Sequence, residues 1–425
     1  MQNKTKKYIE KHYKKIHLFS TNKSKIIGAT IVILCIISIV VLNKVLPTAV
    51  SGQQYIILAT NDLGMHCIQK DYSDFMILPP ANNLRVQVFK KGDKRSALIT
   101  KGINVKYEII DNTKSSNKIN FWKYSKQYGY DVKPDVGITG NTLSGQMVLS
   151  ADKKYFEATA IPVTPYTDSN PKKLSPYQVA KITVYDDKTG KLIAMTDSVV
   201  VPVSTEMNCA DCHGTINTGL SILESHDKLS GTFLVQDLNN DIRHKCSDCH
   251  RDNAIGQPGK EGVSPLSQAM HGFHDTKMQL TPTTPQCYAC HPGPATQCYR
   301  GVMMSQGVSC DDPKCHGTMD NIAQSQKAGR QAWLEEPNCG MCHTQTYASN
   351  SDSLYRNSYL QNSPDKDMND IILCASCHNS PHAEWPSTLP IDNALPNSLL
   401  GSSSYINQCT VCHNGEGKVH KKEIK

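Results

Sequence analysis

Between residues 52 and 203 apolar and polar side chains alternate with a period of two. Leu84, Val86 and Val88 form one such run, and Ile103, Val105, Tyr107 and Ile109 another. Side chains of a strand point alternately to its two faces, so these runs predict half-buried β-strands. Ile182 and Val184 precede Asp186-Asp187-Lys188-Thr189-Gly190, and the apolar run resumes at Leu192, which predicts a hairpin. Val199, Val201 and Val203 alternate again, with Pro202 indicating an edge position because proline has no N–H to give to a ladder. Short strands broken by Gly, Pro, Asn and Asp predict a β-rich, sandwich-like domain over residues 47–203. It holds no nucleophile–base pair and no glycine-rich phosphate loop, so a structural or docking role is expected of it.

Upstream the pattern is different. Seventeen residues from Ile26 to Leu42 carry no charge, and extending the stretch through Leu46 reaches the ~20 residues needed to cross a bilayer. Lysines crowd its N-terminal flank. The sequence therefore predicts a basic cytoplasmic tail at 1–25, a transmembrane anchor (or signal segment) at 26–46, and the bulk of the chain on the exported, periplasmic side. The formal charge of +7 does not indicate a nucleic-acid surface. Eight lysines against one acid lie in the first 25 residues, and of 45 basic and 38 acidic residues this leaves 37 of each beyond them. No nucleic-acid partner is expected.

After Ser204 the alternation stops and a repeat replaces it. Cys-x-x-Cys-His occurs at Cys209/Cys212/His213, Cys246/Cys249/His250, Cys287/Cys290/His291, Cys339/Cys342/His343, Cys374/Cys377/His378 and Cys409/Cys412/His413. A seventh, stretched copy is Cys310-Asp-Asp-Pro-Lys-Cys315-His316. The spacing is the attachment signature of c-type haem. Two thiols one short turn apart form thioethers to the two vinyl groups on one porphyrin edge, and the histidine that follows ligates the iron. Zinc also uses Cys-x-x-Cys pairs, but has no need of a histidine directly after every second cysteine. Disulfides have no need of one either. Seven covalent haems are therefore expected over residues 204–425, with Pro313 in the bulge of the stretched copy. Porphyrins would replace side chains as apolar filling, so only short helices and little regular secondary structure are expected there.

The histidines decide whether every iron is closed. Of sixteen, His12 and His17 lie in the tail and seven belong to the motifs, leaving His66, His226, His244, His271, His274, His382 and His420 as candidate second axial ligands. If each fills a sixth position, all irons are bis-histidine. His226 shares a helical stripe with Leu220, Leu223 and Leu229, and His271 and His274 are three apart, able to serve two neighbouring haems. His244 and His382 lie close to their own motifs and are expected to reach an adjacent haem. Cys67 and Cys298, outside the motifs, are expected to form a disulfide that clamps the two halves and holds His66 over a haem.

These motifs make the C-terminal half resemble the multihaem c-type cytochromes of bacteria that respire on metals or nitrogen compounds. The stretched copy resembles the wider spacing at some haems of the cytochrome c3 family. Asn61-Asp-Leu-Gly-Met-His66-Cys67, Ile77-Leu-Pro-Pro80 and the Cys287–Gly301 stretch are similar to segments of large exported cytochromes of that kind. The resemblance implies electron transfer along closely packed haems, towards redox partner proteins or a terminal acceptor, and leaves the oligomeric state open. One alternative is a multihaem oxidoreductase with one open haem acting on a small nitrogen or sulfur species, although no Cys-x-x-Cys-Lys variant is present. The other is a membrane quinol dehydrogenase, for which the distance from anchor to first haem is long.

Overall fold

A computed structural model of the chain describes residues 54–93, 96–278, 286–335, 337–343, 354–361 and 370–414. All belong to one compact unit that begins at Gly52.

The strands are β1 (Tyr55–Asn61), β2 (His66–Cys67), β3 (Phe75–Met76), β4 (Leu84–Lys90), β5 (Ala97–Leu98), β6 (Ile103–Ile109), β7 (Ser144–Gln146), β8 (Val148–Leu149), β9 (Phe156–Ala158), β10 (Tyr177–Asp186), β11 (Leu192–Ser204) and β12 (His244–Lys245). One sheet has the order β1-β4-β9-β8 with β5 on β4, and the other the order β2-β11-β10-β6-β7. Both contribute to a single core, in which Val86, Val88, Val105, Ile182 and Val201 are fully buried. The hairpin forms where the sequence placed it, Gly190 N–H bonding Asp186 O at 2.8 Å. Pro202 stands opposite Tyr177, and on the other side of β11 the short β2 reaches only Val203 and Ser204. The missing N–H of Pro202 therefore interrupts no ladder.

β6 alternates buried and exposed positions. β1 does not: from Ile56 to Asn61 every residue is buried. Ile57 and Ala59 face the main core, while Ile56 and Leu58 join Phe89 and Val411 in a second cluster, against which Ile371, Ile372, Leu399 and Ile406 pack. The outer face of the β1–β4 sheet is thus covered by the C-terminal part of the chain. A strand buried on both faces reads as a continuous apolar run.

After Ser204 the helices are short. The three longest are α1 (Thr218–Ser230), α2 (Leu266–Asp275) and α3 (Met319–Lys327). No helix among the described residues is long and apolar enough to cross a membrane. At 13 residues, α1 spans only about 20 Å against a hydrocarbon core of about 30 Å. This corrects the expected fold class, which began with a transmembrane helix. The tail at 1–25 and the segment 26–46 lie outside the described residues, and the placement of the remainder on the exported side of an anchor falls with them. What the structure describes is a β-rich region followed by short helices and turns.

Candidate haem sites

Six motifs share one backbone conformation. The histidine N–H bonds the carbonyl of the first cysteine at 2.9 Å in the copies at 209, 246, 287, 339 and 409, and the second cysteine N–H bonds the same carbonyl at 3.2–3.3 Å. At 374 the same residues form the helical turn Cys374–His378. One carbonyl accepting two N–H groups folds Cys-x-x-Cys-His into a single tight turn, which brings the thiols to one side and aims the imidazole from the next position.

The stretched copy differs. Cys315 N–H bonds Asp312 O at 2.8 Å, so Asp312 occupies the turn position that the first cysteine takes elsewhere. Cys310 lies before the turn and its thiol donates to the Cys287 sulfur, which holds the Cys287 pKa down to about 7 and raises that of Cys310. The motif sulfurs of different sites are also electrostatic neighbours. Cys290 adjoins Cys209 and Cys212, Cys315 adjoins Cys342, Cys374 adjoins Cys339, and Cys377 adjoins Cys412.

Three motif histidines face a second imidazole. Ring centroids are 6.2 Å apart for His250 and His226, 6.1 Å for His291 and His271, and 6.1 Å for His316 and His382. Burial and then the neighbouring imidazole of His274 lower the pKa of His213, so these two rings also lie near each other. α2 thus presents His271 to the third site and His274 to the first. Metal–nitrogen bonds of ~2.0 Å on each side put the centroids of two opposed imidazoles roughly 6 Å apart. The gap therefore fits one iron.

Five of these eight rings, His226, His250, His271, His274 and His382, also have a hydrogen-bond partner outside the pair. His250, His271 and His274 direct Nδ1 at the carbonyls of Ser264, Ser267 and Met270 at 2.7–2.8 Å. A carbonyl only accepts, so Nδ1 carries the proton and Nε2 keeps the lone pair a metal needs. Thr232 gives its hydroxyl proton to Asp227 at 2.6 Å, so it accepts from Nδ1 of His226 at 2.9 Å. The His382 ring is hydrogen-bonded to the backbone of Leu63. Burial and then the facing ring push His291 and His382 down to about 4, which keeps them neutral at pH 7, as ligation requires.

Three expected site residues, Cys249, His343 and His413, are placed differently from these facing rings. His343 is exposed, and the imidazole it influences is that of another motif, His378, whose pKa is held down by burial and then by His343. His413 is half-buried and set by its backbone against the β-rich region, in a parallel bridge with Gly92, where Asn414 N–H bonds Gly92 O at 3.1 Å. Cys249 is half-buried with Cys246 of its own motif as a neighbouring sulfur, and its carbonyl accepts Lys260 N–H at 2.8 Å. Among the described residues the structure thus brings spare histidines to four motif histidines and not to His343, although the count allowed one for every iron. Among the described residues no three His, Cys, Asp or Glu side chains converge to hold a bare metal ion.

The other candidates are engaged elsewhere. His66 is buried with Nε2 2.7 Å from Asp62 Oδ1, and Asn83 donates to the other Asp62 oxygen at 2.7 Å. His244 directs Nε2 at Asp237 at 2.8 Å. His378 stacks against Tyr405 with centroids 5.3 Å apart. His420 lies outside the described residues. Cys67 and Cys298 are neighbours with both thiols free, and burial and then Cys298 raise the Cys67 pKa. Sequence reasoning missed Arg300, Asp392 and Gln87, which are buried polar side chains joining segments far apart in the chain. Only the spacing of Asp62 and His66, one helical turn apart, offered a local signal for any of these pairings.

No curated protein and no solved structure matches the chain. A family model described as cytochrome c7 and related cytochrome c matches residues 324–414, a stretch holding the motifs at 339, 374 and 409. The match is narrower than the expected cytochrome domain from residue 204. Over residues 324–414 the chain is therefore similar to the cytochrome c7 family, which supports a multihaem c-type cytochrome with covalently bound haem.

Proposed function

We propose that the chain is a heptahaem electron-transfer protein in which at least four irons are bis-histidine. The proposed axial pairs are His213 with His274, His250 with His226, His291 with His271, and His316 with His382. The pair of imidazoles that face each other across about 6 Å at three motifs carries this reading. Bound through the fourteen motif cysteines, haem supplies an iron that accepts and gives up one electron. The chain's own residues hold His250, His271, His274 and His226 by Nδ1, through Ser264, Ser267, Met270 and Thr232, which leaves Nε2 for the iron, and Leu63 holds the His382 ring. They also keep the motif cysteines of neighbouring sites side by side, which closely spaced carriers require.

A Cys67–Cys298 disulfide is part of the proposal, supported by the adjacency of the two half-buried thiols. The β-rich region then serves as a platform, and the partners are redox proteins or a terminal acceptor. Pyridine haemochrome measured against polypeptide mass tests the count. Seven haems per chain are expected, and six, with Cys310 and Cys315 unmodified, would remove the stretched site.

A further inference from the structure

Arg300 is the largest fully buried side chain of the described residues, and its hydrogen bonds span three segments. Nε and Nη2 form a two-pronged pair with Asp392 at 2.6 and 3.1 Å. Nη1 donates to Gly64 O at 2.8 Å, in the loop between β1 and β2, and to Cys298 O at 2.9 Å. The backbone N–H groups of Arg300 and Gly301 both bond His382 O at 2.7 Å. Asp392 also accepts from Ser387 at 2.7 Å, so the carboxylate is satisfied from its own loop.

His382 sits where these segments converge. Its φ of +69° is a left-handed conformation that a side-chain-bearing residue holds only when its surroundings fix it. The two N–H groups from 300 and 301 fix its carbonyl, and Glu384 accepts its N–H at 3.0 Å. Its ring meets Leu63, the residue next to the Gly64 that Arg300 grips. Gly64 is itself obligatory: φ is +79° and a Cβ there would stand 2.1 Å from Pro381 O. The ring so held faces His316.

We propose that the buried Arg300–Asp392 pair is the positioning element that presents His382 to the iron of the stretched site, by clamping the Leu63–Gly64 loop of the β-rich region against the 380–392 loop. Lysine is a poor substitute, since a point charge cannot hold Asp392, Gly64 and Cys298 at once. The inference rests on the proposed ligation of that iron by His382, and the test separates the two.

Holoprotein carrying Arg300→Met is compared with His382→Ala and with wild type by EPR of the oxidised state, haem content and potentiometric titration. With Arg300→Met, one haem in seven is expected to turn from low to high spin at unchanged haem content. Added imidazole restores the low-spin signal, as it does for His382→Ala. Arg300→Lys, the milder variant should Arg300→Met not mature, is expected to show the same change in part. If His382→Ala turns high spin while both Arg300 variants keep the wild-type spectrum and potentials, the positioning role is overturned and the ligation stands. If His382→Ala stays low spin, the ligation reading fails, and the positioning role with it.

Discussion

The β-rich region and the region after Ser204 differ in what fills them. In the first, Tyr72, Phe121, Ile161 and Ile182 are fully buried in one core, and Phe121 meets Tyr72 edge-on at 5.2 Å. In the second, the described buried apolar side chains are scattered, among them Leu223, Met319, Leu373, Trp385 and Leu395. Its shape is specified instead by repeated backbone turns and by imidazoles facing one another across an iron-sized gap. The β-rich region is therefore held by its own side chains, and under the proposed function the other region is held by the haem its motifs would carry.

Withholding haem attachment is the strongest way to break that contrast. The chain is then expected to lose hydrogen-exchange protection from about residue 205 onward, while β4, β6, β10 and β11 stay protected. Equal protection in both regions would erase the difference. A change in the opposite region sharpens it. Phe121→Ala removes a fully buried ring and should destabilise the β-rich region by about 3–5 kcal/mol in denaturant unfolding, with the haem absorption unchanged.

A smaller effect is expected where the regions meet. Gln87, fully buried on β4, donates to Ile371 O at 2.7 Å and accepts from Leu373 N at 3.0 Å and Ser376 Oγ at 2.8 Å. Gln87→Leu leaves those groups unpaired, at a cost of about 1–3 kcal/mol. Exchange of the Leu373 amide should accelerate before that of the strands.

The smallest effect concerns acid. Glu206, just past β11, accepts from the N–H groups of Ala295 and Thr296 at 3.0 and 2.7 Å and from the Thr296 hydroxyl. Burial raises its pKa, but these bonds outweigh it and the net shift is downward. A lowered carboxylate stabilises the fold above its unfolded pKa of about 4.3, and that contribution is lost as pH falls through the lower folded value. Glu206→Gln should flatten this part of the stability profile below about pH 4.

The same contrast explains what could be read in advance. β6 was legible because one face meets solvent, and the 186–190 hairpin because its turn residues are local. β1 shows no alternation because the 371–411 segment covers its outer face. The motifs were legible as spacing, and the His271/His274 pair as two positions on one helical face. His66 and His244 matched the histidine count, yet each spends Nε2 on a carboxylate. Arg300–Asp392 and Gln87–Leu373 join residues 92 and 286 positions apart, which no local pattern reports.

An iron closed by two imidazoles has no open coordination position and a distinct optical signature. Near-infrared magnetic circular dichroism of the oxidised holoprotein identifies axial ligands directly. Low-spin bis-imidazole intensity equivalent to at least four haems per chain is expected. A spectrum dominated by high-spin iron, or a chain without haem at all, would contradict that pairing.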